Sequence, residues 1–368
     1  MPTERGMKSL PDRKGTSMNR SKAPVFIIGC TRSGSTFLYD TLLSSGKFAV
    51  YHAESDVFNR IAPVYGDRRL GSKSNRARLV NMWLQSDHFK RTGLNAEDIR
   101  AEILSDCRNA GDFLRIVMDR TAEKQGVERW ADSTNAYLLH VPRIKATIPN
   151  ALFVHNIRDG RDVATSLNHL GWPFEFRCPW DRRHGLLVSA LYWEWMVRKG
   201  QEYGRLLGPD YLEVRYEDLI SQPRETLKVL SAFIDDDLNY ERIQQNAIGT
   251  VRTPNSSFHG ATSRDTFKPI GRWKGLKGVE VERMEALLGP LLQELGYDVD
   301  RSAKLDFTAW RMRAFYRVHR ELKLVLKRSP IARFATCMDR FGTGFLDRET
   351  AYYQGLQDQP RDGTTVKG

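Results

Sequence analysis

A chain of 368 residues, 40% hydrophobic and 28% charged, can hold one large α/β domain or two modest ones and is too apolar for a disordered protein. Its 57 Lys and Arg against 45 Asp and Glu give a formal net charge of +12, which suits an anionic partner: nucleotide phosphates, acidic lipid or nucleic acid. No apolar run approaches the roughly 20 residues that span a bilayer, and no zinc finger, RNA-recognition signature or aromatic-basic repeat favours nucleic acid.

Residues 1–22 are polar and basic, a flexible tail without the apolar stretch of a secretory signal, so the expected location is cytoplasmic. Cys30, Cys107, Cys178 and Cys337 form no CxxC pair, which argues against a zinc site or disulfide framework and fits a reducing compartment. From Pro24 to Ile28 a short continuous apolar run has the pattern of a strand buried on both faces of a parallel sheet. A Gly/Ser/Thr loop follows, and Thr36 to Leu43 opens a helix with apolar residues at helical spacing. Strand, glycine loop and helix in that order present backbone N–H groups to an anion. Residues 55–126 are polar and helical in pattern, an insertion with Trp83, Leu84, Phe89, Ile103, Phe113 and Val117 as core positions. Ala151 to Ile157 is a second buried strand, and Asp159 or Asp162 opens the helix after it. Trp172 to Arg183 is aromatic and proline-punctuated, a loop; Leu186 to Tyr203 is a helix and Tyr211 to Tyr216 a third strand. Pro223 to Ile234 is an amphipathic helix, Thr250 to Arg272 a long loop, and Glu280 to Leu295 a helix stopped by Gly296. Strands separated by helices imply a P-loop-like, doubly wound, mainly parallel α/β sheet flanked by helices, with its ligand at the carboxyl ends of the strands. The main domain is expected over residues 23–300, a C-terminal basic helical extension over 301–358 and a disordered tail over 359–368.

The loop Gly29-Cys-Thr-Arg-Ser-Gly-Ser-Thr36 has the two glycines of GxxxxGK[ST] but places Ser35 where lysine is required. A kinase or ATPase needs that lysine on the β/γ-phosphates and a metal-holding acid on a later strand. Losing the lysine while gaining Arg32 points to a different phosphate ester, bound without metal. A small-molecule kinase and a non-catalytic nucleotide- or lipid-binding protein are the rival readings.

The run from Val25 to Leu38 resembles the 5′-phosphosulfate loop of sulfotransferases that use 3′-phosphoadenosine 5′-phosphosulfate (PAPS), with Arg32, Ser33, Gly34, Ser35 and Thr36 on its motif positions. Phe153 to Leu167 resembles the 3′-phosphate element of that family, with Arg158 and Ser166 on the gripping residues. Val214-Arg-Tyr-Glu-Asp-Leu219 is similar to a third block, whose tyrosine, here Tyr216, contacts adenine. Gly271-Arg-Trp-Lys-Gly-Leu276 is similar to the basic block that closes over the donor, through Arg272, Trp273 and Lys274. The resemblance implies an in-line sulfuryl transfer to a hydroxyl or amine, releasing adenosine 3′,5′-bisphosphate. A planar guanidinium such as Arg158 can hold a phosphate bidentately, and N–H donors at a helix start with Arg32 can hold charge building on the sulfuryl group.

An alcohol acceptor also needs a base. Glu54 is preferred, since Golgi and bacterial relatives carry a glutamate near this place, then His52; His169 and His184 are weaker candidates. One departure is clear. Relatives often carry a lysine in the block that is here Trp130 to Ala136, where Ser133 takes its place, so either Lys274, Arg272 or Arg32 supplies the cation or the chain is an atypical, less active member. The acceptor, a lipid, carbohydrate or other small molecule, is expected between the 55–126 insertion and the 168–184 loop with Trp172, Phe174, Phe176 and Trp180. Between Trp310 and Arg328, Phe315, Val318, Leu322 and Leu326 recur at helical spacing among basic residues. That pattern fits either a docking helix with a solvated basic face or an interfacial helix on anionic lipid at the inner membrane face.

Overall fold

A computed structural model describes residues 20–51, 54–65, 69–170, 185–254, 268–299 and 307–328. The central strand is β1 (Val25–Gly29), buried at every position. Successive side chains of a strand point to opposite faces, so Phe26 and Ile28 enter one core and Val25 and Ile27 the other. A strand apolar at every position therefore needs helices on both sides.

The chain continues through α1 (Ser35–Ser44) to a two-residue strand β2 (Phe48–Ala49), then through α2 (Val57–Tyr65), α3 (Lys73–Trp83), α4 (Asp87–Thr92), α5 (Ala96–Asp106) and α6 (Ala110–Lys124). This is the helical insertion anticipated over 55–126. Within it Trp83, Ile103, Phe113 and Val117 are buried, whereas Leu84 and Phe89 are half-buried at its edge. Strand β3 (Arg129–Asp132) and helix α7 (Val141–Thr147) lead to β4 (Leu152–Ile157), α8 (Gly160–His169) and the long α9 (Gly185–Leu207). Then come β5 (Tyr211–Arg215), α10 (Tyr216–Ser221), α11 (Pro223–Ile234), α12 (Tyr240–Gln245), α13 (Gly249–Arg252), α14 (Gly278–Glu294) and α15 (Phe307–Arg328).

The sheet order is β2-β3-β1-β4-β5, and every pairing is parallel. From β1 the chain first builds one side of the sheet (β2, β3) and then the other (β4, β5). Gly29 pairs with Asn156, and Ile157 with Arg215, so β1, β4 and β5 end on one edge. A doubly wound sheet opens its ligand crevice there. No helix among the described residues is long and apolar enough to cross a membrane.

Two local expectations change. Asp159, not Asp162, caps α8, its carboxylate accepting from the Arg161 N–H. Tyr216 is not the last residue of a strand but the first of α10. Residues 1–19, 171–184, 255–267 and 329–368 and His52 lie outside the described residues.

Candidate active site

The loop after β1 has little room. A Cβ at Gly29 would lie 2.6 Å from the Asn156 carbonyl oxygen. Gly34 has φ +92° and its would-be Cβ falls 2.2 Å from the Tyr216 ring, so only glycine fits. Arg32 is itself left-handed (φ 74°), a conformation costing an arginine about 1–2 kcal/mol. The surroundings hold it there: the Asn156 amide donates to the Ser33 carbonyl at 2.8 Å and Arg158 Nη1 to the Arg32 carbonyl at 3.1 Å. Gly34 provides no side-chain cap for α1, so the first N–H groups of the helix are left for another acceptor.

Three arginines converge on this helix start. Arg32 reaches across to α8, its Nε donating to Ser166 Oγ at 3.1 Å. Arg158 is buried; Nη2 donates to the Pro269 carbonyl, the guanidinium stands 4.9 Å from the centre of the Tyr216 ring, and Nε has no hydrogen-bond partner. Arg272 completes the set on the segment that follows residue 268. Burial first, then the neighbouring Arg158 charge, pulls the guanidinium pKa of Arg32 and of Arg272 below the usual arginine value. Cations held this close favour an anion bound between them.

Carboxylates nearby act as struts. Asp162 accepts from the backbone N–H of Gly271 at 2.8 Å and of Trp273 at 3.1 Å, and so fixes the segment carrying Arg272. It stands 3.7 Å from Arg158, and burial raises its pKa. Glu217 receives the Asp159 N–H at 2.9 Å and the Tyr297 hydroxyl at 2.9 Å, which ties the start of α10, and with it Tyr216, to the start of α8. Arg161 pairs with Asp159 at 2.8 Å and with Glu285, and its guanidinium lies 3.8 Å from the Trp273 ring centre.

These groups border a cavity of about 410 Å³. Arg32, Gly34, Ser35, Thr36, Arg158, Tyr216 and Arg272 line its cationic end, together with Thr31, Pro269, Glu54 and Asn135. Phe37, Leu219, Ile220, Pro223, Tyr240, Gln244, Thr250, Val251 and Pro254 supply the rest of the lining, its mostly apolar arm. Asp40 props that arm from behind: its carboxylate accepts both the backbone N–H (2.7 Å) and the hydroxyl (2.6 Å) of Thr250, and burial pushes its pKa up to about 6.

Most of the residues singled out by sequence therefore meet here, and some do not. Ser33 is fully buried behind the loop, its hydroxyl without a hydrogen-bond partner, and Ser166 acts as the acceptor for Arg32. Trp273 stacks with Arg161, and Lys274 is exposed with Nζ 5.9 Å from that ring; neither borders the cavity. Ser133 is buried as well, and Asn135 is the residue of its block that reaches the cavity. Among the described residues the lining contains no lysine. His169, at the end of α8, is not in the lining, while His184 and the four aromatic residues of the 172–180 stretch lie outside the described residues.

Sequence reasoning missed the apolar arm, because residues from α1, α10, α11, α12 and α13 form it and no local pattern announces such a meeting. It also missed Asn156 and Asp162, although Asp162 sits in a block already under scrutiny.

A profile of the sulfotransferase family matches residues 24–251. A sulfotransferase domain of the olefin synthase of Synechococcus PCC 7002 superposes with a TM-score of 0.47 at 18% identity, covering 80% of this chain and 100% of that one. The sulfotransferase domain of the curacin biosynthetic pathway gives 0.47 at 15% identity, over 76% and 99% of the two chains. Sulfotransferase STF9 from Mycobacterium avium gives 0.41 at 12%, over 75% and 77%. No curated protein matches the chain.

Proposed function

We propose, for a chain that belongs to the sulfotransferase family and so transfers sulfuryl groups, that the donor is PAPS and the acceptor a hydroxyl or amine of a lipid, carbohydrate or other small molecule. One observation carries the donor reading: Arg32, Arg158 and Arg272 face one cavity at the open N-terminus of α1, together with a mostly apolar arm of the lining. Two phosphate-type groups on a nucleoside match that lining, because it combines three arginines with apolar and aromatic side chains.

The donor set also fits by its unfilled capacity. Arg158 Nε is buried without a hydrogen-bond partner, which costs about 1–3 kcal/mol unless a ligand oxygen accepts from it. When bound, PAPS supplies the activated sulfuryl group. The chain's own residues do the rest. The first N–H groups of α1 and the Arg32 guanidinium hold negative charge at the phosphosulfate end. Arg158 and Arg272 take the 3′-phosphate, with Ser166 orienting Arg32 beside them. Tyr216, held against Gly34, sets the position of the nucleoside. Glu54, on the same cavity, removes the proton of the acceptor. The cationic role that relatives give to a lysine falls to Arg32 and Arg272, since Ser133 is buried and Lys274 turned away.

The test is a thermal-shift comparison followed by transfer of labelled sulfate. Adenosine 3′,5′-bisphosphate should raise the melting midpoint without added metal, and ATP with Mg²⁺ should not. Labelled PAPS should then deliver sulfate to an acceptor. Stabilisation by ATP·Mg²⁺ alone would return the chain to the kinase reading; bisphosphate binding without transfer to any acceptor class would leave a nucleotide-binding relative.

A further inference from the structure

Helix α15 is docked by a mixed face, on which Tyr316 is buried, Ala309, Met312 and Leu324 pack against the core, and polar side chains reach α9. Arg313 donates through Nε to Glu194 at 3.0 Å, and Glu321 receives the Trp195 indole N–H at 2.8 Å and pairs with Lys199 at 3.1 Å. The Arg320 guanidinium is buried 5.0 Å from the Tyr192 ring centre and 4.2 Å from that of Trp195. All of these partners lie on α9, so the helix spends its hydrogen-bonding side on the body of the protein.

A second apolar face is turned outward. Phe307, Phe315, Val318, Leu322, Val325 and Leu326 are 48–71% exposed, and they run along a 22-residue helix about 33 Å long. Monomeric proteins rarely leave a continuous stripe of this kind in water. Its charge is one-sided too. Arg311 is exposed within the stripe and Arg317 on the flank nearer α9, where it borders a cleft with Glu321, the only carboxylate of the helix, which Trp195 and Lys199 engage.

We propose that α15 docks the protein on anionic lipid, its apolar stripe entering the headgroup boundary and Arg311 and Arg317 meeting lipid phosphates. The charges decide between occupants. A second copy of the same stripe would set Arg311 against apolar residues or the Arg311 of its partner, with no carboxylate in the stripe to pair it. An anionic bilayer surface accepts the apolar residues and the cations together, and the net charge of +12 draws the molecule toward it. This docking does not depend on the identity of the sulfuryl donor or acceptor.

The experiment is sedimentation of the full-length protein with phosphatidylcholine vesicles, with and without about one-third phosphatidylglycerol. Partitioning should be roughly tenfold or more stronger onto the anionic vesicles and should weaken between about 0.1 M and 0.5 M salt. V318E/L322E should reduce it by roughly tenfold or more with an unchanged melting midpoint, since both side chains are exposed. R311E/R317E should bring anionic vesicles down to the neutral-vesicle level. Equal binding to both vesicle types, or undiminished binding by V318E/L322E with the fold intact, overturns the proposal. So does light scattering that shows a wild-type dimer which V318E/L322E splits into monomers, because the stripe is then an interface between copies.

Discussion

Replacement of Arg158 by lysine separates charge from shape at the candidate phosphate site. The guanidinium makes three uses of its plane: Nη1 donates to the Arg32 carbonyl, Nη2 to the Pro269 carbonyl, and Nε is left for a ligand. An ammonium keeps the charge but cannot serve all three directions. Losing one charge-assisted hydrogen bond to a phosphate oxygen costs about 1.5–3 kcal/mol, and toward the upper end of that range, at about 2.7 kcal/mol, R158K should bind adenosine 3′,5′-bisphosphate about 100-fold more weakly. With ligand at about 100 times the wild-type Kd, binding stabilises wild type by about 2.7 kcal/mol and the variant by about 0.4 kcal/mol. The assay is the ligand-induced change in melting midpoint, backed by titration calorimetry. The induced change, not the absolute midpoint, is the readout, because the unliganded variant also loses bonds to the Arg32 and Pro269 carbonyls. A folded R158K that retains the wild-type Kd would refute the assignment of Arg158 to a phosphate.

Glu54→Gln should lower kcat by about 10²- to 10⁴-fold with the Kd for adenosine 3′,5′-bisphosphate unchanged, as expected of a proton acceptor that does not hold the donor; an unaltered kcat removes Glu54 from the chemistry. Gly34→Ala should cost about 1–2 kcal/mol from its positive φ and more from the Tyr216 ring, and G34A/Y216A should recover part of that loss in a denaturation series. Equal stability of G34A and wild type would show that the apposition is loose. His155 lies in the core with its pKa pushed down to about 3 by burial. The unfolded chain takes up a proton at about pH 6.5 that the folded chain refuses, so stability falls as pH drops from about 6.5 toward 3, by at most about 5 kcal/mol from this group. Urea midpoints between pH 7 and 4 should drop less steeply for His155→Gln than for wild type; parallel curves would mean that the imidazole is protonated in the native state.

The strands that the sequence announced, at Val25–Gly29, Leu152–Ile157 and Tyr211–Arg215, are those rich in apolar residues, continuous in β1 and alternating in β5. Strand β3 was hidden because it begins with Arg129, ends with Asp132 and is nonetheless buried throughout. Arg129 can sit there only because Nε finds the Ala23 carbonyl at 2.7 Å and Nη1 the Ile234 carbonyl at 3.0 Å, partners about a hundred residues away on either side. Burial still pulls its pKa down to about 10. A buried ion whose compensation is remote looks like a surface residue in one dimension.

The same division runs through the site and the C-terminal helix. Local sequence determined the phosphate loop, since strand, glycines and helix start are contiguous and Gly34 answers to its own φ as much as to Tyr216. It also determined that residues near 315–326 form an amphipathic helix, because periodicity is a property of the segment alone. Only the tertiary structure decided that Arg32, Arg158 and Arg272 share one cavity, that Lys274 and Trp273 do not line it, and that α15 turns its apolar stripe to the outside. Those outcomes rest on pairings such as Asp162 with Gly271 and Arg313 with Glu194, each more than 100 residues apart in the chain. The energy of such a contact depends on the distance between side chains in the folded state, which no spacing along the sequence encodes.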